Sequence, residues 1–302
     1  MPPESVIGVD VGGTKIRAGT IARDGSVGRS LEVETPTEGP EPLFEALFDI
    51  VEELLPEGSS AIGIGIPMNL DRRTGIALSA ANLPLASLDV GSRVRSRFDL
   101  PVGLENDGNA TALAEWRCGA ARAATDVVAL ALGTGVGGGL VLDGRLFRGW
   151  AEIGHLVVVA DGPPCQGNCH GHGHLETLAS GEAARRAAEE IWGGDDANAH
   201  RLVRAAGEGD ERARDALASI GHFLGLAIGS LWNVFSPDVV VVGGGFGAAA
   251  WRFLEDAALT AARGEALRPA DESLRVVVAE LGDDAGLVGA GLVGFEALDG
   301  VR

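Results

Sequence analysis

The chain has 302 residues, 46% of them apolar, which is enough to fill one large core or two medium ones. Its 43 acidic residues against 24 basic ones leave a net charge of −19, which argues against a nucleic-acid partner but not against a phosphate ligand held by backbone N–H groups and Mg²⁺. The start, MPPESVIGVDVGG, lacks the pattern of a secretion signal, no apolar run approaches the roughly 18 residues that span a bilayer, and three cysteines, two beside histidines, suit a cytoplasmic protein with reduced thiols and no membrane partner.

In chain order, SVIGVDV reads as an apolar, β-branched strand, GGTK as a turn, IRAGTIA as a second strand and VGRSLEVE as a third. Residues 41–55 place apolar side chains at helical spacing, and AIGIGI (61–66) is a short buried strand ended by Pro67. A helix over 87–98 and a strand at PVGLEN follow, and the chain turns helical after Asp107. The opening pattern then recurs, because DVVALALGTGVGGGLVLDGRL repeats the strand, Gly-rich turn and strand of VIGVDVGGTKIRAGTIARDGSV. Helices are expected over 181–192, 199–206, 210–235, 248–264 and 285–297, with strands at 238–244 and LRVVVAEL. This duplication predicts an α/β protein of two domains with a cleft between them, a smaller one of residues 1–107 plus 286–302 and a larger one of residues 108–285.

The two Gly-rich hairpins carry the first chemistry. Asp10, Gly12, Gly13, Thr14 and Lys15 in one, and Gly133, Thr134 and Gly135 in the other, put glycine and threonine between strands. Glycines let backbone N–H groups approach a phosphate and threonine hydroxyls add donors, while Asp10 is placed to hold Mg²⁺ through water. Neither stretch is a Walker P-loop. Each alone is also an ordinary turn, but two copies after apolar strands favour a phosphate site. The pair resembles the phosphate loops of the actin-like ATPase superfamily of sugar kinases, which clamp ATP between two ribonuclease H-like domains. In that resemblance Gly244 and Gly245 of VVGGGF suit the adenosine end.

In LENDGNATALAE, Asp107 stands where a strand meets a helix. An aspartate there is most often a cap, yet transfer of a phosphoryl group to an alcohol needs a carboxylate to take the hydroxyl proton. With phosphate loops on both sides in sequence, the base is the favoured role. Asn106 could hold a second hydroxyl.

CQGNCHGHGH (165–174) gathers two cysteines and three of the six histidines. With His155 of WAEIGH, Cys165, Cys169 and His174 offer two sulfur and two nitrogen ligands, a set suited to a closed tetrahedral Zn²⁺ site. His170 and His172 compete for the last position, and a Cys165–Cys169 disulfide is disfavoured in a reducing compartment.

Taken together, DVGGTK, ENDGNA, LGTGVGGG, EIGH and the Cys–His loop running into LE resemble the ROK family, and within it the bacterial glucokinase-type enzymes, over essentially the whole chain. The resemblance implies ATP-dependent phosphorylation of a sugar, foremost the 6-hydroxyl of glucose, with Asp107 as base. Gly65, Asn82, Asn106, Glu152, His155 and Glu176 would contact or lie near the sugar. It also implies a structural zinc behind the sugar pocket in the larger domain, with His155 serving both zinc and sugar, and assembly into homodimers or tetramers. The sequence departs from the family in two places. The usual C-x-C-G-x-x-G-C loop here has its first two cysteines further apart and His174 at the last position. The stretch before EIGH is also short, RGWAEIGH, which bears on the choice of sugar. Kinases of N-acetylmannosamine, N-acetylglucosamine, mannose, fructose or allose, and polyphosphate as donor, stay open. A repressor is disfavoured because the first phosphate motif begins too early for a preceding helix-turn-helix, and a non-catalytic sugar binder because Asp107 and both loops are kept.

Overall fold

The computed structural model describes residues 4–55, 58–71, 76–80, 83–167, 169–194, 196–268 and 272–300. They form two compact units. The first comprises Met1–Cys118, Arg148–Trp150 and Asp284–Arg302, and the second Gly119–Phe147 and Ala151–Asp283.

In the first unit, β1 (Ser5–Val11), β2 (Lys15–Ala22), β3 (Val27–Glu34), β4 (Ile62–Ile66) and β7 (Val102–Asn106) form one sheet in the order β3-β2-β1-β4-β7. The hairpin strands pair antiparallel as expected, whereas β1, β4 and β7 run parallel. A second small hairpin, β5 (Met68–Asp71) with β6 (Ile76–Ala80), had no clear signal in the sequence. Strand alternation decides which helix covers which face. Ile7, Val9 and Val11 point into a core shared with Leu43, Phe44, Leu47 and Val51 of α1 (Pro40–Leu54) and with Val90 and Val94 of α2 (Val90–Phe98).

The opposite face carries a row of glycines, Gly8, Gly63 and Gly103, in register across three strands. A Cβ at any of them would overlap the backbone of α9 (Ala285–Leu298), so the row lets that helix lie directly on the sheet. Helix α3 (Asp107–Arg117) packs against α9. That packing explains why the unit boundary falls after Cys118 and not after Asp107, where the sequence pattern had placed it.

The second unit repeats the plan. Strands β8 (Val127–Leu132), β9 (Val136–Leu142), β10 (Arg145–Leu146), β11 (Val239–Gly243) and β12 (Val276–Val278) lie in the order β10-β9-β8-β11-β12, with the same antiparallel hairpin and the same parallel inner strands. Helices α4 (Leu175–Leu178), α5 (Gly181–Trp192), α6 (Ala199–Glu208), α7 (Glu211–Phe235) and α8 (Gly245–Glu265) complete its core. By length and composition α7 could cross a membrane, although it is not an unbroken apolar run. Its Leu217, Ile220, Leu224, Ile228 and Trp232 are buried in the core of this unit, with α8 packed along it.

Candidate active site and metal centre

Asp10 is the last residue but one of β1, paired with Arg17 on one side and Gly65 on the other. Alternation turns it toward α9, where Gly286 lies against its carboxylate and any side chain at 286 would overlap it. Burial, and then the neighbouring Asp107 carboxylate, push Asp10 up to about 6, against the smaller opposing pull of Arg17 and Lys15. A carboxylate raised in this way, with a second one beside it, suits a divalent cation, which would relieve both burial and repulsion. Around the turn, Gly12 N–H donates to the Lys15 carbonyl (2.9 Å) and Thr35 Oγ1 donates to the Gly12 carbonyl (2.8 Å). Lys15 Nζ reaches Glu32 at 2.9 Å.

At the head of α3 the cap is Asn106. Its Oδ1 accepts from the N–H groups of Gly108 (2.9 Å) and Asn109 (3.2 Å). Asn106 is thereby the cap, and Asp107, the first helical residue, shares the Gly108 N–H through its own Oδ1 (2.9 Å), which leaves its Oδ2 out of the capping bonds. Asn106 keeps its amide group toward the Met68 carbonyl at 3.5 Å. Gly65 is buried in β4, paired with Asp10 on one side and Glu105 on the other, and a Cβ there would come into contact with Ala110 and Ala290. Asn82 lies outside the described residues.

The second unit holds the cysteine–histidine group. Ligand atoms of His155, Cys165, Cys169 and His174 all lie within 4.8 Å of one another. The two imidazole Nδ1 atoms are 3.2 Å apart, Cys165 Sγ is 3.7 Å from His155 Nδ1, and Cys169 Sγ is 3.6 Å from His174 Nδ1. A tetrahedral zinc with ordinary bond lengths sets nitrogen–nitrogen edges of about 3.3 Å and nitrogen–sulfur edges of about 3.6 Å. The donor set and its spacing therefore fit zinc.

The histidine choice follows from the backbone. Gly173 takes φ +65°, and a Cβ there would overlap the Val159 carbonyl. That turn breaks the extended alternation, leaving His170 and His172 exposed and His174 buried at 8% exposure, its ring packed on Gly171. Both metal-facing nitrogens are Nδ1, so the Nε2 atoms point away from the centre. Glu176 Oε1 lies 3.2 Å from Cys165 Sγ, and Gly135 packs so tightly on Glu176 that a Cβ would sit 2.6 Å from Oε2. Burial and Glu176 push the Cys165 thiol up to about 12, a sign that a coordinated metal reverses. Glu152 is exposed and precedes the short 3₁₀ turn Ile153–His155.

A cavity of about 420 Å³ opens beside the second hairpin, lined by Gly133, Thr134, Glu182, Arg185, His200 and Phe246 among others. Gly245, the first residue of α8, also lines it, and Gly244 takes φ +78° against the end of β8. The start of α8 and the Gly-rich turn both line this cavity, and the first turn of a helix is suited to an anion. The lining from α5 and α6 carried no motif in the sequence, since helix-surface residues of ordinary type become a wall only through packing.

Two sheets of one topology, each with a Gly-rich turn between its first two strands, define a duplicated α/β protein with a separate cysteine–histidine centre. The chain belongs to the ROK family, whose pattern it matches over residues 6–294. It is 35% identical over 266 residues to a glucokinase of Thermotoga maritima, covering 81% of this chain and 83% of that one. It is 32% identical to an N-acetyl-D-glucosamine kinase of Escherichia coli, covering 79% and 83%. Among solved structures, a ROK family glucokinase from Streptomyces griseus in complex with glucose and AMPPNP is 32% identical with a TM-score of 0.83, covering 97% and 99%.

Proposed function

We propose that the protein is an ATP-dependent hexose kinase that phosphorylates the 6-hydroxyl of glucose. The observation that carries this reading is the head of α3, where Asn106 fills the cap and Asp107 stands beside Asp10, in a chain of this family. Asp107 accepts the hydroxyl proton as the sugar oxygen attacks the γ-phosphate in line. The first hairpin, through Gly12, Gly13, Thr14 and Lys15, and the second, through Gly133, Thr134 and Gly135, hold the phosphates. The cavity by Gly245 takes the nucleoside. Mg²⁺ at Asp10 would neutralise charge on the transferring group.

Asn106, Glu152, His155 and Glu176 hold sugar hydroxyls. Zinc would be structural, held by His155, Cys165, Cys169 and His174. With Nδ1 of His155 committed to the metal, its Nε2 is left with a fixed tautomer for the sugar. The reduced ligand set is in keeping with a cytoplasmic setting.

An ADP-release assay with ATP and Mg²⁺ across glucose, mannose, fructose, allose, N-acetylglucosamine and N-acetylmannosamine tests the reading. The highest kcat/KM is expected for glucose. Turnover on none of these sugars overturns the kinase, and a preference for an N-acetyl sugar overturns the glucose assignment.

A further inference from the structure

Glu105 has no role in the chemistry above, yet its side chain is fully buried, at 0% exposure. Its Oε1 accepts from the backbone N–H of Asn106 (3.0 Å) and from Asn109 Nδ2 (3.1 Å). Its Oε2 accepts from Arg148 Nη1 (2.9 Å). The other arm of Arg148 engages Glu296 on α9. Asn109 is also fully buried, and the same Nδ2 donates to the Gly149 carbonyl at 3.3 Å, while its Oδ1 has no hydrogen-bond partner. A buried orphan acceptor costs stability, so an arrangement that keeps one is not explained by packing alone.

The chain connectivity gives the cluster a second meaning. Residues 148–150 belong to the first unit, whereas the chain before and after them belongs to the second. Arg148 and the Gly149 carbonyl are the points at which this short excursion is fastened to the residues around Asp107. It then leaves through Ala151, a non-glycine residue in the left-handed region at φ 46°, directly into Glu152 and the turn that carries His155.

We propose that Glu105, Asn109 and Arg148 form a clamp of positioning residues, which fixes the base loop Asn106–Asp107 for a bound sugar. The inference rests on the kinase reading. Glu105 aims Asp107 by holding the Asn106 backbone, and Arg148 neutralises Glu105 and carries the excursion. A displaced base or hydroxyl ligand lowers the rate of transfer by about 10- to 100-fold, because near-attack geometry is lost. The nucleotide groups lie on other elements and are untouched.

The test is steady-state kinetics of Arg148→Met, Arg148→Lys, Glu105→Gln and the double variant Glu105→Gln/Arg148→Met, with thermal melting of each. Arg148→Met and Glu105→Gln are expected to lower kcat about 10- to 100-fold and raise KM for sugar, with KM for ATP within about twofold. Arg148→Lys is expected to recover part of the loss. The double variant is expected to be no worse than the poorer single, since the residues act as a unit. A kcat within about twofold of wild type in Arg148→Met overturns the clamp. So does a loss in which KM for ATP rises as much as KM for sugar, melting drops in parallel and Arg148→Lys restores nothing, for that is general damage. A wild-type protein with no sugar-dependent ADP release fails the kinase reading itself and takes the clamp with it.

Discussion

The two hairpins share a register but not a chemistry. Asp10 pairs with Arg17 and Gly65, and the equivalent Ala131 pairs with Gly137 and Gly243. Lys15 is the first residue of β2, and Gly135, immediately before β9, stands at the corresponding place in the other hairpin. The first copy thus holds a carboxylate, a guanidinium and an ammonium within one turn, and the second holds none. The second instead borders the cavity and, through Gly135, supports Glu176. A duplicated scaffold has confined its ionic chemistry to one copy and left the other to backbone donors and shape. That division has a cost, visible in the raised pKa of Asp10, which the apolar Ala131 avoids.

The sharpest break of this comparison is Asp107→Ala. It removes the proposed base from the charged copy and is expected to lower sugar phosphorylation about 10³-fold in ADP-release assays, while circular dichroism and melting stay close to wild type. Full turnover in this variant would remove Asp107 from the chemistry.

The second unit is probed by Gly171→Ala, whose Cβ overlaps the His174 ring. Zinc affinity, followed by competition with a chromogenic chelator, is expected to fall about 10- to 100-fold, as when a ligand loses its support. His172→Ala should leave zinc content unchanged. The reverse ranking would mean that His172 completes the shell.

Asp10→Asn separates function from stability in the charged copy. A carboxyl whose folded pKa is raised holds its proton more tightly when folded, so its contribution is present at low pH and is lost as pH rises through about 6. Well above that pH the asparagine variant of the metal-free protein is expected to be more stable by about 3 kcal/mol in urea melts, and below pH 4 the difference should vanish. Turnover should fall. Equal stability at pH 8 would show that Asp10 is not strained by its surroundings.

Lys15→Arg makes the finest distinction. All the other basic residues of the chain are arginine, so an ammonium has been kept at this one place. A compact point charge and a planar fork are not interchangeable at a phosphate, and KM for ATP is expected to rise about threefold to tenfold. An unchanged KM would assign Lys15 to its ion pair with Glu32 alone.

The strands of both hairpins were legible because alternation and Gly-rich turns are local signals. VGRSLEVE, for example, is the whole of β3. The cysteine–histidine group was legible from residue type, and its last ligand was not, because the φ of Gly173 and the packing of His174 on Gly171 decide it. At the head of α3 the sequence suggested a contest between cap and base for Asp107. The structure gave the cap to Asn106, a difference of one residue that depends on where β7 ends. The cavity wall from α5 and α6 and the return of Arg148–Trp150 to the first unit left no trace in any local pattern.

The sequence by itself determined the α/β class, the duplication, the two loops and the metal-ligand types, since each depends on residue chemistry and on periodicity over a few positions. Only the tertiary structure decided which histidine joins the cysteines, which residue caps α3, and how buried Glu105 meets Arg148, 43 positions further along the chain. Burial and side-chain direction come from the packing of segments distant in sequence, so no local signal carries them.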